Sequence, residues 1–326
     1  MLDYSKVILG SNAFNILSLD VKNDRCSHAY LFVSSDETYG MRFCEIAAEL
    51  FINHTDSENS ENNTLRIERR VHPDVKFYGE EKAVDVSVVS EIVDISNISP
   101  FEADKKIFII SNCQDMSEVA QNKILKTIEE PPKNTFYFLF ATASSRLLQT
   151  VLSRVKKIDL DNLKPEQIQT MLEEKGVQSQ MAEIIANCSN ANGTFAEKLA
   201  TDSGFIDFFN SIVSCFYEIN GSRDVLKYSN LFGAKTVDKD ELINIFLLIL
   251  RDLNLILVGT ENLVALKNIL PKLKVISSTL NVNAVDVMIK YCLKAKENLH
   301  FNANATAVVD GVLFKLAEVK VKCRRL

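Results

Sequence analysis

Two short stretches hold the residue types best suited to chemistry. The first is Ser34-Ser35-Asp36-Glu37-Thr38-Tyr39-Gly40-Met41, which follows an apolar run and precedes residues of helical periodicity. A phosphate-binding loop belongs at such a place. It needs glycines so that successive backbone N–H groups wrap the phosphates, a Lys for the β- and γ-phosphates, and a Ser or Thr for magnesium. Gly40 is the sole glycine here, there is no Lys, and Asp36 and Glu37 carry charge that repels a polyphosphate. The stretch reads as an ordinary strand-to-helix turn. The second is Ile110-Ser111-Asn112, where a hydrolase of this architecture carries one acid to hold magnesium and another to orient water. Ser111 and Asn112 suit neither task. Two separate parts of the machinery are missing together, which points to a hydrolase-type module released from hydrolysis and serving other proteins in an assembly.

The elements that must position these stretches follow from apolar patterning. Ala29 to Val33, Ile107 to Ile110 and Phe136 to Phe140 are short apolar runs suited to buried strands, and Val75-Lys76-Phe77-Tyr78 is a further candidate strand. Between them lie helical stripes: Phe43, Ile46, Ala47, Leu50 and Phe51; Val88, Ile92 and Ile95; and Ile124, Leu125 and Ile128, stopped by Pro131-Pro132. Residues 53–63 are polar and read as a surface insertion without packed structure. Strands alternating with helices predict a doubly wound α/β domain over residues 1–160. Beyond it no strand competes. A small helical domain is expected over 161–203 and a larger helical domain over 204–326.

The composition narrows the function classes. The 326 residues carry a formal net charge of -6, and a protein that binds DNA mainly by itself is more often basic. The seven cysteines include no CxxC pair, so no zinc knuckle or redox motif is visible, and they read as reduced, mostly buried thiols. The most apolar stretch, Leu242 to Leu250, is too short for a bilayer and is stopped by Arg251 and Asp252. With no basic-then-apolar leader pattern at the start, the expected location is the cytoplasm, without membrane contact.

The run Ala120-Gln121-Asn122-Lys123-Ile124-Leu125-Lys126-Thr127-Ile128-Glu129-Glu130-Pro131-Pro132 resembles the helix-to-proline signature of bacterial DNA polymerase III clamp-loader subunits. Ala141-Thr142, Leu147-Leu148, Thr150 and Ser153-Arg154-Val155 continue it in the family's order, and His72-Pro73-Asp74 matches upstream. Near the other end, Leu250-Arg251-Asp252-Leu253 is similar to the family's Arg-Asp helix, and Asn302 with Asn304 to its Asn-x-Asn segment. The resemblance spans essentially the whole chain and is densest from Lys105 to Arg154. It implies a branch of the AAA+ ATPases: an α/β nucleotide domain, a helical lid, and a helical collar that holds five subunits in a ring.

Within that family, a lost cradle beside a retained Ser153-Arg154 is the pattern of the delta-prime subunit. The resemblance implies that Arg154 is a finger acting in trans on a neighbour's ATP. An Arg guanidinium is permanently charged and presents several donors to a transferring phosphate. It also implies partners: gamma/tau-type motor subunits, the delta subunit, and the sliding clamp with primed DNA. No cofactor of its own is expected, because neighbours would bind ATP and magnesium. No intrinsic ATPase is expected either; the ATPase and DNA-directed DNA polymerase activities of such a holoenzyme lie in other subunits. Ser153, Thr142, Glu129, Glu130, Pro131 and Pro132 are signature positions, and Thr142, where the family senses nucleotide, reads as packing. Arg251 and Asp252 suit a collar contact or an internal ion pair equally. Two departures stand out. Val155 replaces the family's Cys, and the four-cysteine zinc module usual before His72 is absent, leaving a lone solvated His54. Two other readings compete: weak ATP binding or hydrolysis through a non-standard loop, and a DNA-binding module using Lys315, Lys320, Lys322, Arg324 and Arg325.

Overall fold

The computed structural model describes residues 2–54, 58–80, 82–234, 237–301 and 303–324. Its elements fall into two compact units: residues 1–167 with Asn192–Thr194, and residues 168–191 with 195–326.

The first unit opens with α1 (Ser5–Leu9) and α2 (Asn12–Lys22), then β1 (Ala29–Val33), α3 (Glu37–Asn53), α4 (Ser60–Glu68) and β2 (Val75–Tyr78). It continues through α5 (Val86–Ser96), β3 (Lys106–Ile110), α6 (Glu118–Glu129), β4 (Thr135–Ala141), α7 (Gln149–Leu152) and β5 (Lys156–Asp159). The strands form one five-stranded sheet in the order β2-β3-β4-β1-β5, with each pair parallel. This is the parallel α/β domain that the alternation of strands and helices predicts.

Period-two alternation divides the sheet's side chains between two faces. Tyr30, Phe32, Phe136 and Phe138 meet Phe43 and Phe51 of α3 in edge-on or tilted aromatic contacts, with centroids 5.0 Å apart for Phe32–Phe43 and for Phe51–Phe136. Leu31, Phe108, Ile110, Tyr137 and Leu139 pack on the other face with Val89 and Ile92 of α5, Ala120, Ile124 and Ile128 of α6, and Val151 of α7. Both faces are dry, which is why these strands read as unbroken apolar runs. Lys106 opens β3 with its ammonium on the carbonyls of Ile95 and Ile98, at the end of α5, where cations are favoured. Burial pushes its pKa down.

Three departures from the sequence reading lie in this unit. The edge strand β5, Lys156-Lys157-Ile158-Asp159, is absent from that reading, because it has no apolar run. Helices α1 and α2 precede the first predicted strand. Part of the presumed insertion over 53–63 is ordered helix, because α4 begins at Ser60. Helix α4 buries only Asn63 and Ile67. With so narrow an apolar face, its composition reads as coil.

The second unit is helical. It holds most of α8 (Pro165–Glu174), α9 (Ser179–Cys188), most of α10 (Gly193–Thr201), α11 (Phe205–Glu218), α12 (Ser222–Phe232) and α13 (Lys239–Leu257). Helices α14 (Leu270–Ser277), α15 (Val282–His300) and α16 (Ala305–Arg324) complete it. Helix α13 is central and packs on α9, α11, α14 and α15. Its Phe246 lies 4.8 Å from Phe216 of α11, ring centroid to centroid.

Candidate functional site at the carboxyl ends of the strands

In open α/β sheets ligands bind outside the carboxyl ends of the strands. In this protein side chains occupy that edge. Asp36 ends the turn after β1 and is 2% exposed. Its Oδ1 accepts from the backbone N–H of Tyr39 at 3.2 Å, capping α3, and from Thr194 Oγ1 at 2.7 Å. Its Oδ2 accepts from the backbone N–H of Gly193 at 2.6 Å and of Thr194 at 3.3 Å. The carboxylate therefore occupies the N-terminus of α3, a position that favours negative charge.

Asn112 follows β3 in the left-handed region, with φ 53°. Its Nδ2 donates to Glu37 Oε1 at 3.1 Å and to the Gly79 carbonyl at 3.2 Å. Gln114 donates to Asn112 Oδ1 at 3.3 Å and accepts from the backbone N–H of Thr142 at 3.1 Å. A chain of neutral amides thus joins the ends of β1, β2, β3 and β4. Ser111 is fully buried and turns its hydroxyl to the Tyr78 carbonyl. Neither Ser111 nor Asn112 offers a carboxylate.

The signature residues sit beside this edge. Gln121, 2% exposed, donates to the carbonyls of Met116 and Arg146 and accepts from the backbone N–H of Leu148. It fastens the loop after β4 to α6. Glu129 ends α6, Glu130 caps it through a backbone N–H on the Lys126 carbonyl, and the turn through Pro131-Pro132 carries the chain into β4. Arg154 lies between α7 and β5. Its Nε donates to Glu129, and Nη1 donates to the Thr150 carbonyl at 3.0 Å and to Ser153 Oγ at 3.3 Å. The side chains of Arg154 and Glu129 are 39% and 41% exposed, so the pair stands at the surface. Val155 points the opposite way, into the apolar layer with Val151 and Leu147.

Comparisons with known proteins find subunits of bacterial DNA polymerase III. A family model described as DNA polymerase III, delta subunit, matches residues 10–164. The delta-prime subunit of DNA polymerase III from Bacillus subtilis is 26% identical over 320 residues, 95% of this chain and 97% of its own. These matches make the chain similar to bacterial DNA polymerase III clamp-loader subunits. The tau subunit from Bacillus subtilis is 26% identical over 197 residues, covering 57% of this chain and 35% of tau. A gamma subunit-related protein of known structure from Thermotoga maritima is 15% identical, with 94% of this chain and 99% of that one covered and a TM-score of 0.46.

The interval between α3 and His72 covers residues 54–71. It has no cysteine to bind zinc, and among the described residues no group of three or more His, Cys, Asp or Glu is arranged to hold a metal. Amides and ion pairs join α3 to α4 instead. Asn63 donates to Asn53 and Asn53 to Thr64, while Arg42 pairs with Glu45, Glu49 and Glu68. Burial pushes the Glu49 carboxyl up to about 7, against the pull of Arg42. In the clamp-loader motif His72-Pro73-Asp74, Asp74 is 1% exposed and accepts from the backbone N–H groups of Phe101, Glu102 and Ala103 at 2.6–2.9 Å. That motif anchors the loop before β3.

In the second unit Asp252 is fully buried and accepts from the backbone N–H groups of Ala265 and Leu266, with Arg251 at 3.4 Å. Desolvation raises its pKa, opposed by those hydrogen bonds. Arg251 is 55% exposed. Asn302 lies outside the described residues, while Asn304 Oδ1 caps α16 through the Ala307 N–H. Of the basic residues near the C-terminus, Lys320 is 1% exposed with its ammonium on the carbonyls of Phe216 and Tyr217, so it is unavailable to DNA. Lys315 and Lys322 both pair with Glu318. Arg325 and the side chain of Arg324 lie outside the described residues. Sequence reasoning gave no site role to Gln114, Gly193 or Thr194, and it named Gln121 only within the signature run. None carries a charge, and their partners lie far along the chain.

Proposed function

We propose that the chain is a delta-prime-like, non-catalytic subunit of the clamp loader. It assembles with gamma/tau-type motor subunits and with delta, and it offers Arg154 to a neighbour's ATP while the sliding clamp is loaded on primed DNA. The observation that carries this reading is a coincidence within one unit: a carboxylate fills the cradle position, while Arg154 stands at the surface. An exposed pair such as Arg154–Glu129 is worth about 0–1 kcal/mol, so the guanidinium exchanges it readily for a phosphate. The near full-length match to the Bacillus subtilis delta-prime subunit supports the same assignment. In this reading residues 1–160 are the degenerate nucleotide domain, 161–203 the lid and 204–326 the collar. Arg251 is then the outward member of the collar pair, while Asp252 shapes the loop beneath it.

The test is reconstitution of the ring with Arg154→Ala. The ring is expected to assemble, as read by sedimentation, while DNA-stimulated ATP hydrolysis by the motor subunits falls by about 10³-fold or more, the scale of an arginine finger. Arg154→Lys recovers little, because an ammonium lacks the planar fork. Unchanged hydrolysis in an intact ring would sink the finger role.

A further inference from the structure

We propose that Asp36 is a tethered anion: its carboxylate takes the place of a nucleotide phosphate and holds Asn192–Thr194 against the strand ends without any ligand. The contacts alone carry this, and the role given to Arg154 does not enter.

A carboxylate accepts about four hydrogen bonds, two on each oxygen. Asp36 receives four: Tyr39 N–H and Thr194 O–H on Oδ1, and Gly193 N–H and Thr194 N–H on Oδ2. Its acceptor capacity is filled, at 2% exposure, so no external anion shares those donors. The donors come from the first turns of two helices, α3 and α10, separated by 157 positions between Asp36 and Gly193. Helix N-termini with free N–H groups favour an anion. One side chain here satisfies both, and Asn192–Thr194 lies in the same compact unit as Asp36.

The surroundings are built to this contact. Asn192 Nδ2 donates to the Ser35 carbonyl at 3.3 Å, and the backbone N–H of Asp36 donates to Ser34 Oγ at 3.1 Å. Gly193 has no space for a side chain: a Cβ there would lie 2.6 Å from Tyr4 Oη and 3.2 Å from Asp36 Oδ2. A glycine at the start of a helix is costly in entropy, and this one permits the close approach.

Hydrogen exchange of the full-length chain tests the proposal. In nucleotide-free buffer the amides of Gly193 and Thr194 are expected to be protected, and Mg-ATP should not change that. Asp36→Ala is expected to lose protection at those two amides by about tenfold or more, since a charge-assisted hydrogen bond is lost at each. Sodium formate or inorganic phosphate, compared with chloride at equal ionic strength, should restore it in the variant and leave the wild type unchanged. Should Asp36→Ala not fold, Asp36→Asn reads the charge: it keeps an acceptor oxygen but should still lose protection and gain nothing from formate. Protection unchanged in either variant, or a loss in Asp36→Ala that neither anion reverses, overturns the proposal. Such a failure would leave the Arg154 reconstitution untouched.

Discussion

Gly40 sits where a nucleotide loop would use glycine for backbone freedom, yet its role here is steric. It lies buried in the first turn of α3, and a Cβ added there would fall 2.0 Å from Phe140 Cε2, an atom of a packed ring. Gly40→Ala should therefore destabilise the protein by about 1–3 kcal/mol, the usual cost of overpacking, seen as a lower denaturation midpoint. The hydrogen bonds to Asp36 should survive it. An equal or higher midpoint would show that the ring gives way freely. The absence of a phosphate cradle was legible in the sequence because the missing Lys and the intruding acids are neighbours in the chain. The four donors on Asp36 were not, because three belong to Gly193 and Thr194. Arg154 was legible only through its resemblance to a family signature. Its local contacts, a carboxylate and a backbone carbonyl, are those of any surface arginine.

At the level of elements, β1, β3 and β4 were read from uninterrupted apolar runs because both sheet faces are covered there, whereas the edge strand β5, with two lysines, went unread. The failure at 53–63 has a physical reason: α3 and α4 are joined by charge and amide contacts, which leave no apolar stripe. Within that join, the raised pKa of Glu49, about 7, has a definite sign. Folding raises the pKa above the ordinary carboxylate value, so the folded state holds the proton more tightly than the unfolded chain. The favourable contribution is complete below about pH 4 and is lost as pH rises toward 7. Glu49→Gln should consequently gain stability relative to wild type as pH increases from 5 to 8, by on the order of 2 kcal/mol. Chemical denaturation at the two pH values measures this, and a difference independent of pH would contradict it. Asp74 gives the complementary case. Asp74→Ala removes the buried acceptor of three backbone N–H groups at residues 101–103 and should cost about 1–3 kcal/mol, with loss of amide protection confined first to that loop. Wild-type protection at Phe101, Glu102 and Ala103 in the variant would remove the anchoring role.

Across the whole molecule, the order of α/β then helical architecture followed from where strand-type runs cease, and the parallel sheet followed from the alternation. The amphipathic helices ahead of β1 escaped notice because their apolar faces are short and lie outside any strand pattern. The same scale decides between a silent module and a weak ATPase. The turn after β1 has no Lys for phosphates, Ser111 and Asn112 directly after β3 offer no carboxylate for magnesium, and hydrogen bonds of side-chain amides tie the loops together. Calorimetric titration of the isolated chain with Mg-ATP should therefore show no saturable binding up to millimolar nucleotide. Micromolar binding would restore the ATPase reading. The Asp36→Ala variant sharpens the comparison, because removing the internal carboxylate frees helix N-termini yet supplies neither the Lys nor the glycines of a cradle. It should accept a small oxyanion while still failing to bind Mg-ATP. If it instead gained tight nucleotide binding, Asp36 alone would be what keeps the site closed, and the loss of function would be one substitution deep rather than distributed over β1, β3 and the loops between them.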